Sequence, residues 1–395
     1  MTRLAILGST GSIGTNTLEV VRESGGALGV AALAAGRNLD ALAAQIREFR
    51  PKLVSVAAPQ AVDELARLLK DGIPAGARPE ILHGPKGNVA VAACSEATTV
   101  VSAAVGVAGL EATYEAVRLG KRVALANKEV LVAAGELVMA AAARSGAELL
   151  PVDSEHNGVH QCLRAAGNRA EIRRLLLTAS GGPFRSTPRE ALERVTPAEA
   201  LRHPTWVMGP RITINSATLM NKGFEVIEAC WLFGFRPEQV QVLIHPQSTV
   251  HAMIEFQDGS VIAQLSVTDM KMPIQYALYY PERKPVPPAR QLDWQTVRQW
   301  LFEPPDPAKF PALGLAYRAL EMGGAAGCAL NAADEVAVAA FLDGRISFPA
   351  MAEVVAETLE GVPWRRPGSI GEVLEADQAA RELAGRALER QPAHR

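Results

Sequence analysis

The chain has 395 residues, of which 48% are hydrophobic and 21% are charged. This composition is typical of a folded globular protein and excludes a chain that is mainly disordered. The 40 Lys and Arg residues against 42 Asp and Glu residues give a formal net charge of -2, so the overall charge does not indicate a nucleic-acid partner. The length predicts about two or three domains.

Cysteine usage and the N-terminus predict a cytoplasmic location. The 4 cysteines contain no C-x-x-C pair, which is typical of a reducing compartment and argues against a disulfide scaffold or a zinc knuckle. The N-terminus shows no charged stretch followed by an apolar segment and a cleavage site, so no export signal is predicted. No apolar run reaches the roughly 20 residues that span a bilayer, so we expect no membrane partner.

The first 150 residues alternate short apolar runs with Ala/Leu-rich stretches of helical spacing. Strands are predicted at 4–7, 30–34, 53–56, 99–103 and 123–126, and helices at 16–22, 39–49, 62–69, 110–119 and 129–143. This alternation predicts an α/β fold with a Rossmann-like, doubly wound parallel sheet in a domain at 1–150.

Longer strand-like runs at 174–178, 240–245, 250–256 and 261–267 predict a central α+β domain at 151–285. The turn that contains Asp258 and Gly259 indicates a hairpin between two of these runs. Two proline-dense stretches surround a short helical candidate at 294–301 and predict a linker at 286–311. Helical periodicity from there on predicts a C-terminal helical domain at 312–395.

The first chemical motif is a glycine-rich loop, G-x-x-G-x-x-G, formed by Gly8, Gly11 and Gly14. It follows a strand and opens a helix, which is the context in which backbone N–H groups hold a pyrophosphate. The second strand ends in Gly36-Arg37-Asn38, where an NAD site would carry an acid, and the arginine favours NADPH. The alternatives are a tight strand–helix turn and a solvated arginine.

Two carboxylates, Asp153 and Glu155, follow the apolar run at 149–152. If this stretch is extended, both side chains point to one side, and two oxygen donors suit Mg²⁺ or Mn²⁺ better than zinc. His156 and His160 could share a helix face as zinc ligands, but the glutamate of H-E-x-x-H is absent, and we prefer a packed or partly exposed helix residue for His160.

A helix that begins near Ser216 would place Asn221 and Glu225 at i and i+4, and Lys222 and Glu225 at i and i+3. These side chains could line one wall of a pocket. The alternative is a Lys–Glu pair on the surface, which contributes little to stability.

Two further segments could bind an anion and cover it. The turn Ser180-Gly181-Gly182 exposes N–H groups and a hydroxyl, although a plain flexible turn is an alternative. The segment from Arg202 to Gly209, which contains His203 and Trp206, suits a lid over a polar ligand, and the alternative is a loop with one buried aromatic anchor.

Together these segments resemble the 1-deoxy-D-xylulose 5-phosphate reductoisomerase family over nearly the whole chain. The resemblance is carried by an ordered set of motifs: LGSTGSIG at 7–14, LANKE at 125–129, PVDSEHN at 151–157, SGGPF at 180–184, HPTW at 203–206, SATLMNKG at 216–223, IHPQS at 244–248 and ALNAA at 329–333. It implies a homodimer with an NADPH domain, a catalytic and dimerising domain and a helical domain.

The resemblance also implies roles for individual residues. For NADPH these are Thr10, Gly11, Ser12, Ile13, Gly36, Arg37, Asn38, Asn127, Glu129 and Gly209. For a divalent ion (Mn²⁺, Mg²⁺ or Co²⁺) they are Asp153, Glu155 and Glu225. For the substrate phosphate they are Ser180, Ser216, Asn221 and Lys222 with His203 nearby, and for the carbonyl and hydroxyl end they are Lys128, Ser154 and Glu155. Trp206 lies on the family's flap, and Lys128, Glu155, His203 and Trp206 are the implied catalytic residues.

The reaction that the resemblance implies joins a rearrangement of the carbon skeleton to a hydride transfer. The ketose phosphate becomes 2-C-methyl-D-erythrose 4-phosphate, which NADPH reduces to 2-C-methyl-D-erythritol 4-phosphate for isoprenoid synthesis. A simple NADPH-dependent dehydrogenase of a phosphorylated hydroxy-carbonyl compound is the nearest alternative, and it needs no chelating carboxylates. A non-catalytic dinucleotide sensor would need an effector or DNA-binding segment, and no basic recognition helix is visible.

Three residues depart from the family's usual pattern. Asn215 stands where Asp is usual, Asp334 stands where Asn is usual, and Val207 replaces a commonly polar flap residue. None removes an implied ligand. We expect Asn215 to cap a helix as Asp would, and the lost charge to alter metal affinity or pH dependence.

Overall fold

The computed structural model describes residues 1–70, 72–206, 208–297, 299–361 and 363–392. The chain forms two compact units. The first consists of Met1–Val130, Val138–Asn157 and Asp269–Pro287, and the second of Leu131–Leu137, Gly158–Thr268 and Pro288–Arg395. The domain limits expected near residues 150, 285 and 311 stay predictions.

The strands belong to two sheets. The seven strands of the first sheet are β1 (Thr2–Leu7), β2 (Leu28–Ala34), β3 (Leu53–Val56), β4 (Glu80–His83), β5 (Thr99–Ser102), β6 (Arg122–Leu125) and β7 (Leu149–Pro151). The four strands of the second are β8 (Ile172–Ala179), β9 (Val240–Ile244), β10 (Val250–Phe256) and β11 (Val261–Leu265).

The α-helices of the described residues follow in chain order. They are α1 (Ser12–Glu23), α2 (Leu39–Phe49), α3 (Pro59–Leu68), α4 (Gly84–Ala93), α5 (Leu110–Arg118), α6 (Glu129–Ser145), α7 (Ser154–Ala165), α8 (Pro197–Ala200), α9 (Pro210–Thr218), α10 (Met220–Phe233), α11 (Lys271–Tyr279), α12 (Ala312–Met322), α13 (Ala326–Leu342), α14 (Ala350–Glu360) and α15 (Ile370–Arg390). No described helix is both long and apolar enough to cross a membrane.

The first unit is built on a parallel sheet in the order β4-β3-β2-β1-β5-β6-β7. The strand order reverses between β1 and β5, which confirms the predicted doubly wound, Rossmann-like topology. The central strands are continuous apolar runs because helices cover both faces of such a sheet, and Leu4, Ile6 and Val101 are fully buried. Two strands, β4 and β7, and the helix α4 were not predicted from the sequence.

The sheet of the second unit has the order β11-β10-β8-β9. β8 and β9 are parallel, and β10 is antiparallel to both β8 and β11. The predicted hairpin is confirmed: the N–H of Phe256 donates to the carbonyl of Ser260 at 2.9 Å, and Asp258 accepts a hydrogen bond from the Ser260 N–H. The predicted mixed character of this region is therefore correct.

Helices α12 to α15 follow in the second unit and confirm the predicted helical C-terminal region. Their buried faces, which include Phe341, Val354 and Ala384, join one core with the inner side of the second sheet. The short helix expected at 294–301 is wrong for the described part of that segment. There Asp293 accepts a hydrogen bond from the N–H of Gln295 at 3.0 Å, and this side chain stabilises a turn instead of a helix.

Candidate active site

The glycine-rich loop joins β1 to α1 in the first unit. An ideal Cβ at Gly14 would lie 2.4 Å from the carbonyl oxygen of Gly8, so this position requires glycine for the helix to start directly after the loop. Gly11 is the N-cap of α1, and the first turn of that helix contains no acidic residue. Thr10, Gly11, Ser12 and Ile13 therefore lie at a helix N-terminus that is free of negative side chains, which suits a pyrophosphate.

Asn127 follows β6 in the same unit, and only 3% of its surface is exposed. Its Nδ2 donates to the carbonyl of Gly106 at 2.9 Å, whereas its Oδ1 has no hydrogen-bond partner among the described residues. A buried acceptor without a partner is costly, so a ligand that donates a hydrogen bond would satisfy it. Glu129 is the first residue of α6.

The cationic end of β2 is also placed as expected. Gly36 and Arg37 are exposed just beyond the carboxyl end of the strand. Asn38 caps α2, because its side chain accepts a hydrogen bond from the N–H of Ala41 at 3.1 Å. The Arg37 side chain thus lies at the edge of the sheet where dinucleotides bind in this topology.

The first pair of carboxylates lies at the start of α7. Asp153 pairs with Lys128 at 2.5 Å, and both side chains are nearly buried, with 11% and 6% exposed. Asp153 Oδ1 also accepts a hydrogen bond from the N–H of Glu155 at 3.2 Å, and Ser154 Oγ donates to Glu155 Oε1 at 2.8 Å. The extended conformation considered for this stretch is wrong, because β7 ends at Pro151 and Glu155 lies in the first helical turn.

The two histidines of α7 differ in their surroundings. His156 is fully buried, and its Nδ1 lies 3.4 Å from Asp153 Oδ1. His160 is partly buried, and desolvation together with Arg164 and Arg169 lowers its pKa to about 4. His160 is thus a partly buried helix residue, in agreement with the packed or partly exposed residue preferred from the sequence.

In the second unit, three residues from separate segments form a cluster of hydrogen-bond donors. The Nε2 atom of His203 lies 3.0 Å from Ser180 Oγ and 3.0 Å from Ser216 Oγ. Ser180 follows β8, His203 lies in the expected lid segment, and Ser216 lies in α9. This cluster brings together three of the residues that the resemblance assigns to the substrate phosphate.

The hydrogen bonds of His203 define its tautomer. Its Nδ1 accepts hydrogen bonds from the backbone N–H of Thr205 at 3.2 Å and of Trp206 at 2.9 Å. Nε2 therefore carries the proton and faces the two hydroxyls. Burial lowers the pKa of His203, which favours the neutral ring. The cluster offers an imidazole N–H and two hydroxyls, all suited to an anion.

A close backbone approach fixes this cluster. Gly182 has a φ of +67°, and an ideal Cβ there would lie 2.8 Å from the carbonyl oxygen of Ser216. The turn after β8 therefore packs directly on α9. The backbone N–H of Gly182 also donates to Ser180 Oγ at 3.3 Å. The alternative of a plain flexible turn is wrong.

Three implied ligands lie on α10. Asn221 Nδ2 donates to Glu225 Oε1 at 2.7 Å, and Lys222 forms an ion pair with Glu225 Oε2. The predicted i, i+4 and i, i+3 spacings are confirmed. The side chain of Glu225 is fully buried and that of Lys222 is 4% exposed, which rules out the alternative of a surface pair.

The helix expected from Ser216 onward is wrong. α9 ends at Thr218, Leu219 adopts a left-handed conformation with a φ of 63°, and α10 begins at Met220. Ser216 and Lys222 thus lie on different helices. Trp206 is partly buried, Gly209 is the N-cap of α9, and Val207 lies outside the described residues.

Two of the departures from the family pattern contact each other. Asn215 does not cap a helix as expected, because it lies inside α9, and its Nδ2 donates to Asp334 Oδ2 at 2.8 Å. Arg211, near the start of α9, pairs with the same carboxylate at 3.3 Å. Burial raises the pKa of Asp334 to about 6, partly offset by Arg211 and Asn215. Sequence reasoning missed this contact, because Asp334 lies more than a hundred residues after Arg211 and Asn215 in the chain.

Comparisons with known proteins agree with this geometry. Three family models match: "1-deoxy-D-xylulose 5-phosphate reductoisomerase" at 4–135, "1-deoxy-D-xylulose 5-phosphate reductoisomerase C-terminal domain" at 149–233 and "DXP reductoisomerase C-terminal domain" at 265–383. A 1-deoxy-D-xylulose 5-phosphate reductoisomerase from Solibacter usitatus is 62% identical over 385 residues, which cover 97% of this chain and 96% of the relative. The chain belongs to the 1-deoxy-D-xylulose 5-phosphate reductoisomerase family.

Further relatives show the same likeness at lower identity. The reductoisomerase of an Anaeromyxobacter species (strain K) is 52% identical and covers 97% of this chain and 96% of the relative. Among solved structures, the Zymomonas mobilis reductoisomerase in complex with NADPH has a TM-score of 0.91 and 42% identity, covering 98% of this chain and 99% of that one. A DOX-P reductoisomerase with NADPH, fosmidomycin and magnesium has a TM-score of 0.91 and 40% identity, covering 98% of each chain.

Proposed function

We infer that this chain converts 1-deoxy-D-xylulose 5-phosphate, NADPH and a proton into 2-C-methyl-D-erythritol 4-phosphate and NADP⁺, with a divalent metal ion. Membership of the reductoisomerase family over nearly the whole chain carries this conclusion. The reaction requires a dinucleotide, a metal ion and a sugar phosphate. The glycine-rich loop, the carboxylates and the Ser180–His203–Ser216 cluster have the chemistry to bind these three ligands.

The first unit supplies the proposed NADPH site, and a solved relative binds NADPH. The N-terminus of α1 and the loop before it would hold the pyrophosphate, and Arg37 would pair with the 2′-phosphate. The buried Oδ1 of Asn127 supports this assignment, because it needs a hydrogen-bond donor that the described residues do not provide. Gly36, Asn38 and Glu129 are the other residues proposed in this unit, and Gly209, proposed from the family resemblance, belongs to the second unit.

For the metal ion we propose Asp153, Glu155 and Glu225 as ligands, and solved relatives bind magnesium. The donor set fits, because all three supply carboxylate oxygens, which Mg²⁺ and Mn²⁺ prefer. Asp153 and Glu225 are largely or fully buried, and each has a lysine as counter-charge in this structure. When bound, the ion stabilises negative charge that develops on substrate oxygens during the rearrangement. Manganese and cobalt stay alternatives to magnesium.

For the substrate phosphate we propose the donor cluster of Ser180, His203 and Ser216, together with Asn221 and Lys222. His203 Nε2 lies 3.0 Å from each of the two hydroxyl oxygens, so the cluster gathers one N–H and two O–H groups in one place. Anchoring the phosphate confines the substrate in the site while its carbon skeleton is broken and rejoined.

At the other end of the substrate we propose Lys128, Ser154 and Glu155. The ammonium of Lys128 donates to Asp153, and an ammonium is a suitable donor for a carbonyl or hydroxyl oxygen of the substrate. Trp206 would cover the bound substrate and exclude water, and its backbone N–H donates to His203 Nδ1, a member of the donor cluster.

We also propose that the chain acts as a cytoplasmic homodimer. β11 is an outer strand of the second sheet, and Val261 is 48% exposed there. Trp294, which is 66% exposed, stands edge-on to Trp300 at a centroid distance of 6.3 Å. An open strand edge and exposed aromatic rings are features that a subunit interface covers.

The test measures NADPH oxidation after adding 1-deoxy-D-xylulose 5-phosphate to metal-stripped protein, with and without Mg²⁺ or Mn²⁺. We expect turnover that depends on the metal, and a loss of at least about a hundredfold in Glu225→Gln. The control Glu238→Gln, at a side chain that is 78% exposed, should match the unmodified protein. No turnover with any divalent metal would contradict the proposal.

A further inference from the structure

One carboxylate of α13 holds two successive turns of α9. Arg211, the second residue of α9, donates from Nη2 to Asp334 Oδ2 at 3.3 Å. One turn later, Asn215 Nδ2 donates to the same oxygen at 2.8 Å. Asp334 therefore accepts hydrogen bonds from positions i and i+4 of α9, which restrains both the rotation and the axial position of that helix.

The surroundings of this carboxylate are buried and charged. Asp334 is 4% exposed, and Asn331, which accepts from Arg211 at 2.8 Å, is fully buried. Glu335 accepts from the other Nη of Arg211 at 2.8 Å and also pairs with Arg381 of α15. Charge-assisted hydrogen bonds are strong and directional in a dry environment, so this group fixes the position of α9 against α13.

α9 carries the proposed phosphate ligand Ser216 directly after Asn215. Consecutive residues of a helix diverge by about 100°, so Asn215 contacts α13 while Ser216 turns to His203. The Ser216 carbonyl also lies against the turn at Gly182. A small rotation or slide of α9 would therefore change the distances among Ser180, His203 and Ser216.

We propose that Asp334, with Arg211 and Asn215, is a positioning group for substrate binding, which sets the geometry of the phosphate cluster without touching the substrate. This inference rests on the proposed role of Ser180, His203 and Ser216 as phosphate ligands. A displaced α9 weakens binding of the substrate phosphate, because it changes the distances among the phosphate ligands. The residues that bind NADPH and the metal ion are left in place.

The experiment measures steady-state kinetics of Asp334→Asn, Asn215→Asp and the double variant Asn215→Asp/Asp334→Asn. Asp334→Asn removes the carboxylate, and Asn215→Asp places two carboxylates in contact. The double variant exchanges the two side chains, so the pair still consists of one carboxylate and one amide. For Asp334→Asn we expect the KM for 1-deoxy-D-xylulose 5-phosphate and the inhibition constant of inorganic phosphate both to rise about tenfold. The kcat and the KM for NADPH should stay within about twofold, and the double variant should recover most of the loss.

Two controls separate the possible failures. Ser216→Ala tests the phosphate cluster itself: if it leaves the substrate KM unchanged, the proposed phosphate site is wrong. Asp343→Asn makes the same change at the C-cap residue of α13, whose side chain is 67% exposed, and should have no effect. If Ser216→Ala raises the KM but Asp334→Asn and Asn215→Ala do not, the positioning role is refuted.

Asn215→Ala covers the case in which Asp334→Asn does not fold. It removes one of the two hydrogen bonds and leaves the pair of Arg211 and Asp334 in place, so we expect a smaller rise in the substrate KM. A fall in kcat and a rise in the NADPH KM of similar size, or a folded double variant that recovers nothing, would show that these residues only stabilise the fold.

Discussion

Replacing Asp334 by asparagine should change how stability depends on pH. Burial raises the pKa of this carboxyl to about 6 in the folded protein, against 3.8 for an ordinary aspartate. Between these two values the folded chain holds a proton that the unfolded chain has lost. The free energy of unfolding therefore falls as the pH rises through this window, and the contribution becomes constant above the folded pKa.

The size of the effect follows from the two pKa values. Over the whole window, the difference between the two pKa values changes the free energy of unfolding by about 3 kcal/mol, at 1.36 kcal/mol per pKa unit. Between pH 5 and pH 7, where the unfolded carboxyl is already ionised, the loss is about 1.3 kcal/mol. Asp334→Asn lacks this titration. Between pH 5 and pH 7 the free energy of unfolding of the unmodified protein should therefore fall by about 1.3 kcal/mol relative to that of the variant.

The assay is equilibrium urea unfolding of both proteins at pH 5, 6 and 7, followed by tryptophan fluorescence and circular dichroism. Asp343→Asn, at an exposed aspartate near the end of the same helix, is the matched control and should run parallel to the unmodified protein. A difference between the unmodified protein and Asp334→Asn that stays constant from pH 5 to pH 7 would refute the raised pKa of Asp334.

Two further outcomes follow from the structure. Gly182→Ala should cost at least about 1 kcal/mol more stability than Gly234→Ala and should also raise the substrate KM, because both glycines have left-handed φ but only Gly182 faces backbone at 2.8 Å. Urea unfolding and kinetics of the two variants check this, and equal costs would contradict it. In the folded protein at pH 7.5, iodoacetamide should not label Cys162 or Cys328, because burial raises their pKa to about 11 and about 12. Peptide mass spectrometry reports the labelling, and a rate equal to that of the denatured chain would disprove the burial.

The sequence predicts the features that depend on local order. The glycine loop, the parallel strands and the hairpin were all predictable, because each is encoded within about ten neighbouring residues by glycine positions or apolar periodicity. β4 and β7 were not, since β4 has four residues with exposed ends and β7 has only three. Such short strands carry too little periodicity to be recognised.

The site required more than local order. Pattern alone left the turn at Ser180 as a flexible loop, and only the family resemblance joined it to His203 and Ser216. The helix break at Leu219 had no sequence signal, since a leucine occupies the left-handed position where glycine or asparagine is usual. The contact of Asn215 with Asp334 joins residues 119 positions apart, which no local pattern encodes.

The most direct test of the assigned reaction is the carbon skeleton of the product. The protein is incubated with 1-deoxy-D-xylulose 5-phosphate, NADPH and Mg²⁺, and the phosphorylated product is examined by ¹³C NMR. Our account predicts a branched product, 2-C-methyl-D-erythritol 4-phosphate, formed in step with NADPH oxidation. A linear, unrearranged alditol phosphate would contradict it and would indicate a simple dehydrogenase.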